Sequence, residues 1–451
     1  MYSMYMLSKS RNHKPLEEEG GAVRSKLVPI AITTASLVML GLAGCSTGGS
    51  SSSTDAAGGD VTLTLATWRT EDTAMWEDEI LPAFESSHPG ITVDYAPVGT
   101  DDYNAAIQSQ IEGGTGADLI MCRPFDVNRA WIDDGYFAPL KGTDAVSHFD
   151  ETALAAWTDT DGNPFCVPTA SVLAGFYYNT AIFDELGLKV PTTQAELLDV
   201  LDKIKQSGKY EPLALGSADG WQLAYNVLYS MGPNYWNGED GRLGLIDGSQ
   251  KLTDPDFVAA FDAFDSLKPY LPAGYESLTY EDMMQLFTLG KAAIIPDGSW
   301  DISAATATGL DVGVFGAPVA KAGDKRYQQE MPDQGIGMNA KTEHQEAAQQ
   351  FLDWLATPEF QSLYVNKLPG FFAMGDEPVT YDDPLAQKFA DLKTDAELTP
   401  RLALDRLSAG TPPLDDEIWV ALQNMYNSDL SAKDATAELQ AGLDTWYKPG
   451  Q

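Results

Sequence analysis

Positive charge is scarce in this sequence: 28 Lys plus Arg stand against 66 Asp plus Glu, a formal net charge of -38 over 451 residues. No basic stripe remains to neutralise phosphates, which excludes nucleic acid as a partner. Cysteine is nearly absent. Cys45, Cys122 and Cys166 are too few for a disulfide framework or a four-thiolate metal centre. The four histidines, His13, His88, His148 and His344, form no ligand cluster, so neither a metal nor a cofactor is expected. A Gly-x-Ser-x-Gly elbow, a His-Glu-x-x-His helix and a Walker loop are also missing. Past the N-terminal region no apolar run reaches 18 residues, which excludes a polytopic membrane protein. What is present is 44% hydrophobic residues and 10 Trp, enough for a large core, at a length that favours two domains over one.

The N-terminal 17 residues from Leu27 to Ala43 are mostly apolar and follow Arg24 and Lys26, as in a secretory signal segment. Leu42-Ala43-Gly44-Cys45 resembles the bacterial lipobox, in which the chain is cut before a cysteine that then receives lipid. Residues 45–60 are rich in Ser, Gly, Thr and Ala and read as a tether behind the lipidated Cys45. The acidic run Glu17-Glu18-Glu19 stands oddly ahead of a signal segment, and Val23 would make a better start for the leader spanning 1–44.

From Val61 onward, strand and helix patterns alternate. Val61–Ala66 reads as a strand, Ala74–Ser86 as a helix, Ile91–Tyr95 as a strand, Tyr103–Ile111 as a helix and Ala117–Met121 as a third strand. This opening predicts an α/β fold with a mainly parallel sheet. Further helices are predicted over Thr193–Ser207, Trp221–Tyr229, Asp256–Leu267, Tyr280–Leu289, Glu343–Ala356 and much of Asp415–Leu443, with short strands at Phe176–Tyr178, Leu213–Leu215, Ala292–Pro296 and Val312–Ala317.

Several separated segments, in order, resemble the sugar-binding type of extracellular solute-binding proteins that serve bacterial ABC importers. They are Gly116-Ala117-Asp118-Leu119-Ile120 with Asp133-Asp134-Gly135-Tyr136, Val167-Pro168 with Gly175-Phe176-Tyr177-Tyr178-Asn179, Leu289-Gly290-Lys291-Ala292-Ala293-Ile294 with Gly298-Ser299-Trp300, and Gly335-Ile336-Gly337-Met338-Asn339. The resemblance spans roughly residues 60–450. It implies a two-lobed periplasmic-binding-protein-like fold of the class II type, with discontinuous lobes joined by a hinge. Segments 60–166 and 314–337 are expected in the first lobe, and 167–313 and 338–451 in the second. It also implies a monomer that captures a neutral sugar or oligosaccharide and hands it to membrane permease subunits. The lipid on Cys45 would anchor it to the outer face of the cytoplasmic membrane, in keeping with a Gram-positive exporter.

A neutral carbohydrate needs aromatic plates for its C–H faces and carboxylates, amides or Arg for its hydroxyls. In the first lobe Trp68, Arg69 and Glu71 follow the first strand, and Asp126 and Asn128 follow the third. In the second lobe Trp300 comes after Gly298 and Ser299, which permit a tight approach. Trp221, Tyr178 with Asn179, Tyr235 with Trp236, and Trp419 complete the candidates, each weighed against packing in the core. Arg69 and Arg123 either pair with acidic neighbours or hold a charged solute of the uronate type. Glu71, Asp126 and Asp297 are the carboxylates a secreted hydrolase would use, but among 66 acidic residues such sets arise by coincidence. No catalytic residue is assigned. Export makes a Cys122–Cys166 disulfide one reading and two buried thiols the other.

Overall fold

A computed structural model of the protein describes residues 60–99 and 102–449, apart from the side chains at positions 126, 127, 152 and 405. The expected leader, the lipidation site Cys45 and the tether as far as residue 59 lie outside the described residues. Among those described, nine strands form one continuous sheet: β1 Val61–Thr67, β2 Ile91–Pro97, β3 Leu119–Cys122, β4 Cys166–Asn179, β5 Glu211–Leu213, β6 Ala292–Gly298, β7 Val312–Phe315, β8 Tyr327–Met338 and β9 Glu397–Thr399. Their order is β2-β1-β3-β8-β4-β6-β5, with β7 added on β4 and β9 on β8. β1 pairs in parallel with β2 and β3, as the βαβ opening predicts, and the outer pairs β5–β6 and β8–β9 are parallel too, whereas β8 runs antiparallel to β3 and β4, and β4 runs antiparallel to β6 and β7.

β4 is the longest strand, and 13 of its 14 residues are buried. Such a run, with no polar face, fits a strand covered on both sides. It passes from one hydrophobic core to another. Cys166, Val167, Ala170 and Val172 pack with Leu63, Trp76, Phe84 and Met121 in the first core, while Leu173, Phe176 and Tyr177 pack with Leu201, Val227, Phe261 and Ile294 in the second. The chain changes core twice more, between Ala317 and Met331 and between Phe371 and Phe372.

These crossings differ from the expected 166, 314 and 337. Residues 338–371 belong with the first core, not the second. The helices Gln345–Leu355 and Pro358–Lys367 lay Ala348, Phe351, Phe360 and Tyr364 against Trp76 and Phe84, with the Phe84 and Phe351 rings edge to face at 4.9 Å. Conversely Val312, Phe315 and Ala317 pack in the second core, since β7 pairs with the second-core half of β4 and the Phe315 ring stacks on Phe176 at 5.3 Å.

Cys122 and Cys166 form a disulfide. They stand on β3 and β4, the two neighbours of β8, opposite Gly335 and Gly337 respectively. The bridge therefore crosses β8, and the glycines leave room for it: a Cβ at Gly337 would stand 2.9 Å from the Cys166 Sγ, and one at Gly335 2.9 Å from the Trp157 indole. The Gly-Ile-Gly segment is thus a steric requirement of the bridge and of Trp157 behind it. The bridge links positions 44 residues apart, for which loop-closure entropy gives about 4 kcal/mol. A Cys122→Ala/Cys166→Ala variant is expected to lose about 2–4 kcal/mol of unfolding free energy in denaturant titration; an unchanged midpoint and slope would contradict this role.

Candidate functional site

Where the two cores meet, the second supplies a chain of aromatic rings. Trp419 meets Tyr225 edge-on at 5.6 Å, Tyr225 lies 6.1 Å from Trp221, and Trp221 lies 4.9 Å from Tyr280. The Trp300 indole N–H then donates to the Tyr280 hydroxyl at 2.8 Å. Local structure explains each placement. Trp221 is the second residue of the helical turn Gly220–Gln222, and a π-helical turn over Leu223–Leu228 follows, a widening common at functional positions. Tyr280 is the first residue of the helix Tyr280–Thr288, fixed by a capping box between Thr279 and Asp282. Trp300 leaves the end of β6 and folds back over Gly298, where a Cβ would stand 2.1 Å from the indole. It is only partly buried, and it packs against the first core although its own strand belongs to the second.

Beneath Trp300 two carboxylates converge on one hydroxyl. Tyr280 Oη stands within hydrogen-bonding distance of Asp301 and at 3.0 Å from Asp297 Oδ1. Asp297 Oδ1 also accepts from Asn226 Nδ2 at 3.0 Å and from the Gly298 N–H at 2.7 Å. A single phenolic proton cannot serve both acids at once. Burial, reinforced by the neighbouring Asp301 charge, pushes the Asp297 carboxyl well above the usual carboxylate range. Burial also raises Asp301, against the Tyr280 and Asp297 hydrogen bonds and the Arg69 charge. Both carboxyls accordingly keep their protons to higher pH than isolated carboxylates do.

Arg69 reaches this group from the first core. It makes a two-pronged ion pair with Asp72, stands 3.3 Å from Glu71, and lies over the Phe371 ring at 4.8 Å. Trp68 beside it is buried, its ring edge to face with Tyr103 and covered by the Arg123 guanidinium at 4.6 Å. At the far end of the aromatic chain Asp415 accepts from the hydroxyls of Tyr225 and Tyr229 at 2.7 and 2.6 Å, and Arg401 lies over the Tyr225 ring at 3.6 Å. A surface recess of about 570 Å³ elsewhere, lined by Lys205, Tyr210, Pro269 and Lys291 among others, carries none of these groups.

Of the residues singled out from sequence, Trp221, Trp300 and Trp419 stand in the aromatic chain and the charges of Arg69 and Glu71 reach Asp301, whereas Trp68 is buried in the first core. Others are taken up by the fold instead. Asn128 is not on a loop but on the helix Asp126–Asp133, wholly buried with Nδ2 3.6 Å from the Cys166 sulfur. Asp126 opens that helix, and its side chain lies outside the described residues. Tyr178 packs on Phe183 and Phe315, and Asn179 caps the helix Thr180–Leu186 by accepting from the Ile182 N–H at 3.2 Å. Trp236 stacks on Phe257 inside the second core. Tyr235, in the short helix Pro233–Trp236, packs against the same core, and burial pushes its hydroxyl up to about 12. Sequence reading missed Tyr225, Tyr280, Asp301, Arg401 and Asp415. The Glu281-Asp282 pair after Thr279 marked a helix start at Tyr280, but nothing local paired that tyrosine with Trp300 twenty residues later.

The carboxylate pair sets a pH dependence. The Asp297 carboxyl is held above its unfolded value of about 3.9, so the folded state keeps a proton that the unfolded state has lost. Its contribution to stability is therefore full below about pH 4 and falls as pH rises through the folded value. Asp297→Asn retains the acceptor for Asn226 and Gly298 and cannot ionise. Unfolding free energy measured from pH 4 to pH 9 is expected to decline less steeply in the variant than in the parent; parallel curves would contradict the raised Asp297 carboxyl.

The family described as "Bacterial extracellular solute-binding protein" matches residues 66–362. The chain is 25% identical over 300 residues to the multiple sugar-binding protein of Streptococcus mutans serotype c, covering 63% of this chain and 69% of that protein. It is 24% identical over 315 residues to the maltotriose-binding protein of Pyrococcus abyssi, covering 66% and 65%. Among solved structures a chitin oligosaccharide binding protein superposes with a TM-score of 0.70 at 22% identity, over 85% of this chain and 98% of that one, a likeness of fold. No helix among the described residues is long and apolar enough to cross a membrane. The family match over most of the chain makes this protein, with its two cores joined through β4, a member of the bacterial extracellular solute-binding proteins.

Proposed function

We propose that the protein captures a mono- or oligosaccharide between its two lobes and delivers it to the permease of an ABC importer. The observation that carries this reading is the aromatic chain Trp419–Tyr225–Trp221–Tyr280–Trp300, which borders carboxylates and arginines at the junction of the cores. Flat apolar rings flanked by hydrogen-bonding groups match a pyranose, with its C–H faces and its rim of hydroxyls. The sugar-binding relatives support the same class of solute. Trp300 stands in the helical turn Ser299–Asp301 that follows a second-core strand, and it packs against the first core, so a ligand stacked on it touches both lobes and favours their closed arrangement.

Binding is the whole of the chemistry in this reading. Asp297 is buried and bonded to Asn226, Tyr280 and Gly298, an arrangement suited to holding Trp300 in place rather than flanking a scissile bond. In this reading the protein works outside the cell as a monomer, tethered through lipid on Cys45 at the outer face of the membrane. The acidic surface keeps the exported domain soluble.

Trp300→Ala is expected to weaken binding of the preferred saccharide by about ten- to a hundredfold in titration calorimetry and to leave the thermal transition of the unliganded protein within a few degrees of the parent. Unaltered affinity would remove Trp300 from the site. A parent protein that ignores every neutral saccharide yet binds a charged solute would move the assignment to that class.

A further inference from the structure

Arg401 lies just beyond β9, in a segment that runs along the junction of the two cores: Leu402 and Ala403 pack into the second core and Leu404 against the first. Its side chain is buried, 6% exposed, and its Nε is a donor with no partner. Among the described residues the guanidinium makes no hydrogen bond or ion pair. It rests over Tyr225, 3.6 Å from the ring centroid. Asp415 feels its charge, but that carboxylate already accepts from Tyr225 and Tyr229. A buried arginine ordinarily satisfies most of its five donors with carboxylates or carbonyls, because unmet donors away from water are costly. The cation–π contact with Tyr225 offsets part of that cost and fixes the position of the guanidinium. Tyr225 is itself the ring between Trp221 and Trp419, so the unmet donors adjoin the aromatic platform.

We propose that Arg401 is a ligand-binding, specificity-determining residue whose guanidinium fork donates to a pair of oxygen acceptors on the solute, with Tyr225 as its backing plate. This rests on the saccharide reading above. Vicinal hydroxyls and a sugar carboxylate both present two oxygens at a spacing the planar fork can meet, whereas a lysine ammonium would act only as a point donor. Arg69 cannot fill this role while Asp72 and Glu71 occupy it.

The test compares the parent with Arg401→Met and Arg401→Lys. Calorimetry would use maltotriose, raffinose, xylotriose and digalacturonate as probes, and thermal unfolding would be followed without sugar. The Met variant is expected to bind the parent's best probe about ten- to a hundredfold more weakly, and the Lys variant to recover only part of the loss. Without sugar, the Met variant is expected to melt at or above the parent temperature, because an unmatched buried charge has gone. Loss confined to digalacturonate identifies the oxygen pair as a carboxylate; loss on a neutral probe identifies it as hydroxyls. Equal affinity in parent and Met variant overturns the role of Arg401 and leaves the saccharide reading standing, and so does a Met variant that melts well below the parent with unchanged affinity. A parent that binds none of the four probes overturns both.

Discussion

The antiparallel pairing of β4 with β8 is the constraint on which the remaining architecture depends. Both strands are long, β4 is shared by the two cores, β8 runs from a hydrogen bond with Asn234 to the first core, and the sheet is continuous only because the two lie side by side at its centre. Their registry shifts between Pro168 and Ser171, just before β4 leaves the first core at Val172. Irregular pairing bends and twists a strand pair, which is what a passage between two packed bodies requires. On one side of that passage the Cys122–Cys166 bridge spans β8 over its glycines. On the other, Ser299 ties the strands to the third crossing by donating to the Gly370 carbonyl and accepting from the Leu173 N–H.

The proposed binding groups inherit their positions from this frame. β6 pairs with the second-core half of β4, and Asp297, Gly298, Trp300 and Asp301 follow in sequence at its end. Trp300 is held from three directions: Gly298 below, the Tyr280 hydroxyl at its N–H and the first core at its side. The buried acids beneath it are a cost to folding that hydrophobic residues of similar size would avoid. They persist in a useful arrangement, since Tyr280, bonded to Asp297 and Asp301, accepts from the Trp300 indole and fixes the ring on which a solute would rest.

Most of the fold was legible in the sequence. Alternation at Val61–Ala66 and helical spacing over Thr193–Ser207 each report a local apolar face, and the structure has β1 and the helix Gln194–Ser207 at those places. Periodicity does not reveal which core receives that face, and for that reason the helices of 345–367 were expected in the wrong lobe. The site was legible where local sterics announce it: Gly298 before Trp300 is a gap made for a ring. Asn128, Asn179 and Trp236 have the right chemistry, but their side chains serve the disulfide region, a helix cap and a stacked core pair. Tyr225, Tyr280 and Arg401 lie far apart in sequence, and only tertiary packing brings the first beside the third and the second beneath Trp300.

The central claim is that a saccharide lies on the aromatic chain of the second lobe and touches the first. The most direct measurement is a crystal structure with the best-binding saccharide. The account predicts sugar rings within about 4 Å of Trp300 and Trp221, with ligand oxygens bonded to groups of both lobes. A saccharide held away from these rings, or in contact with one lobe alone, would contradict it.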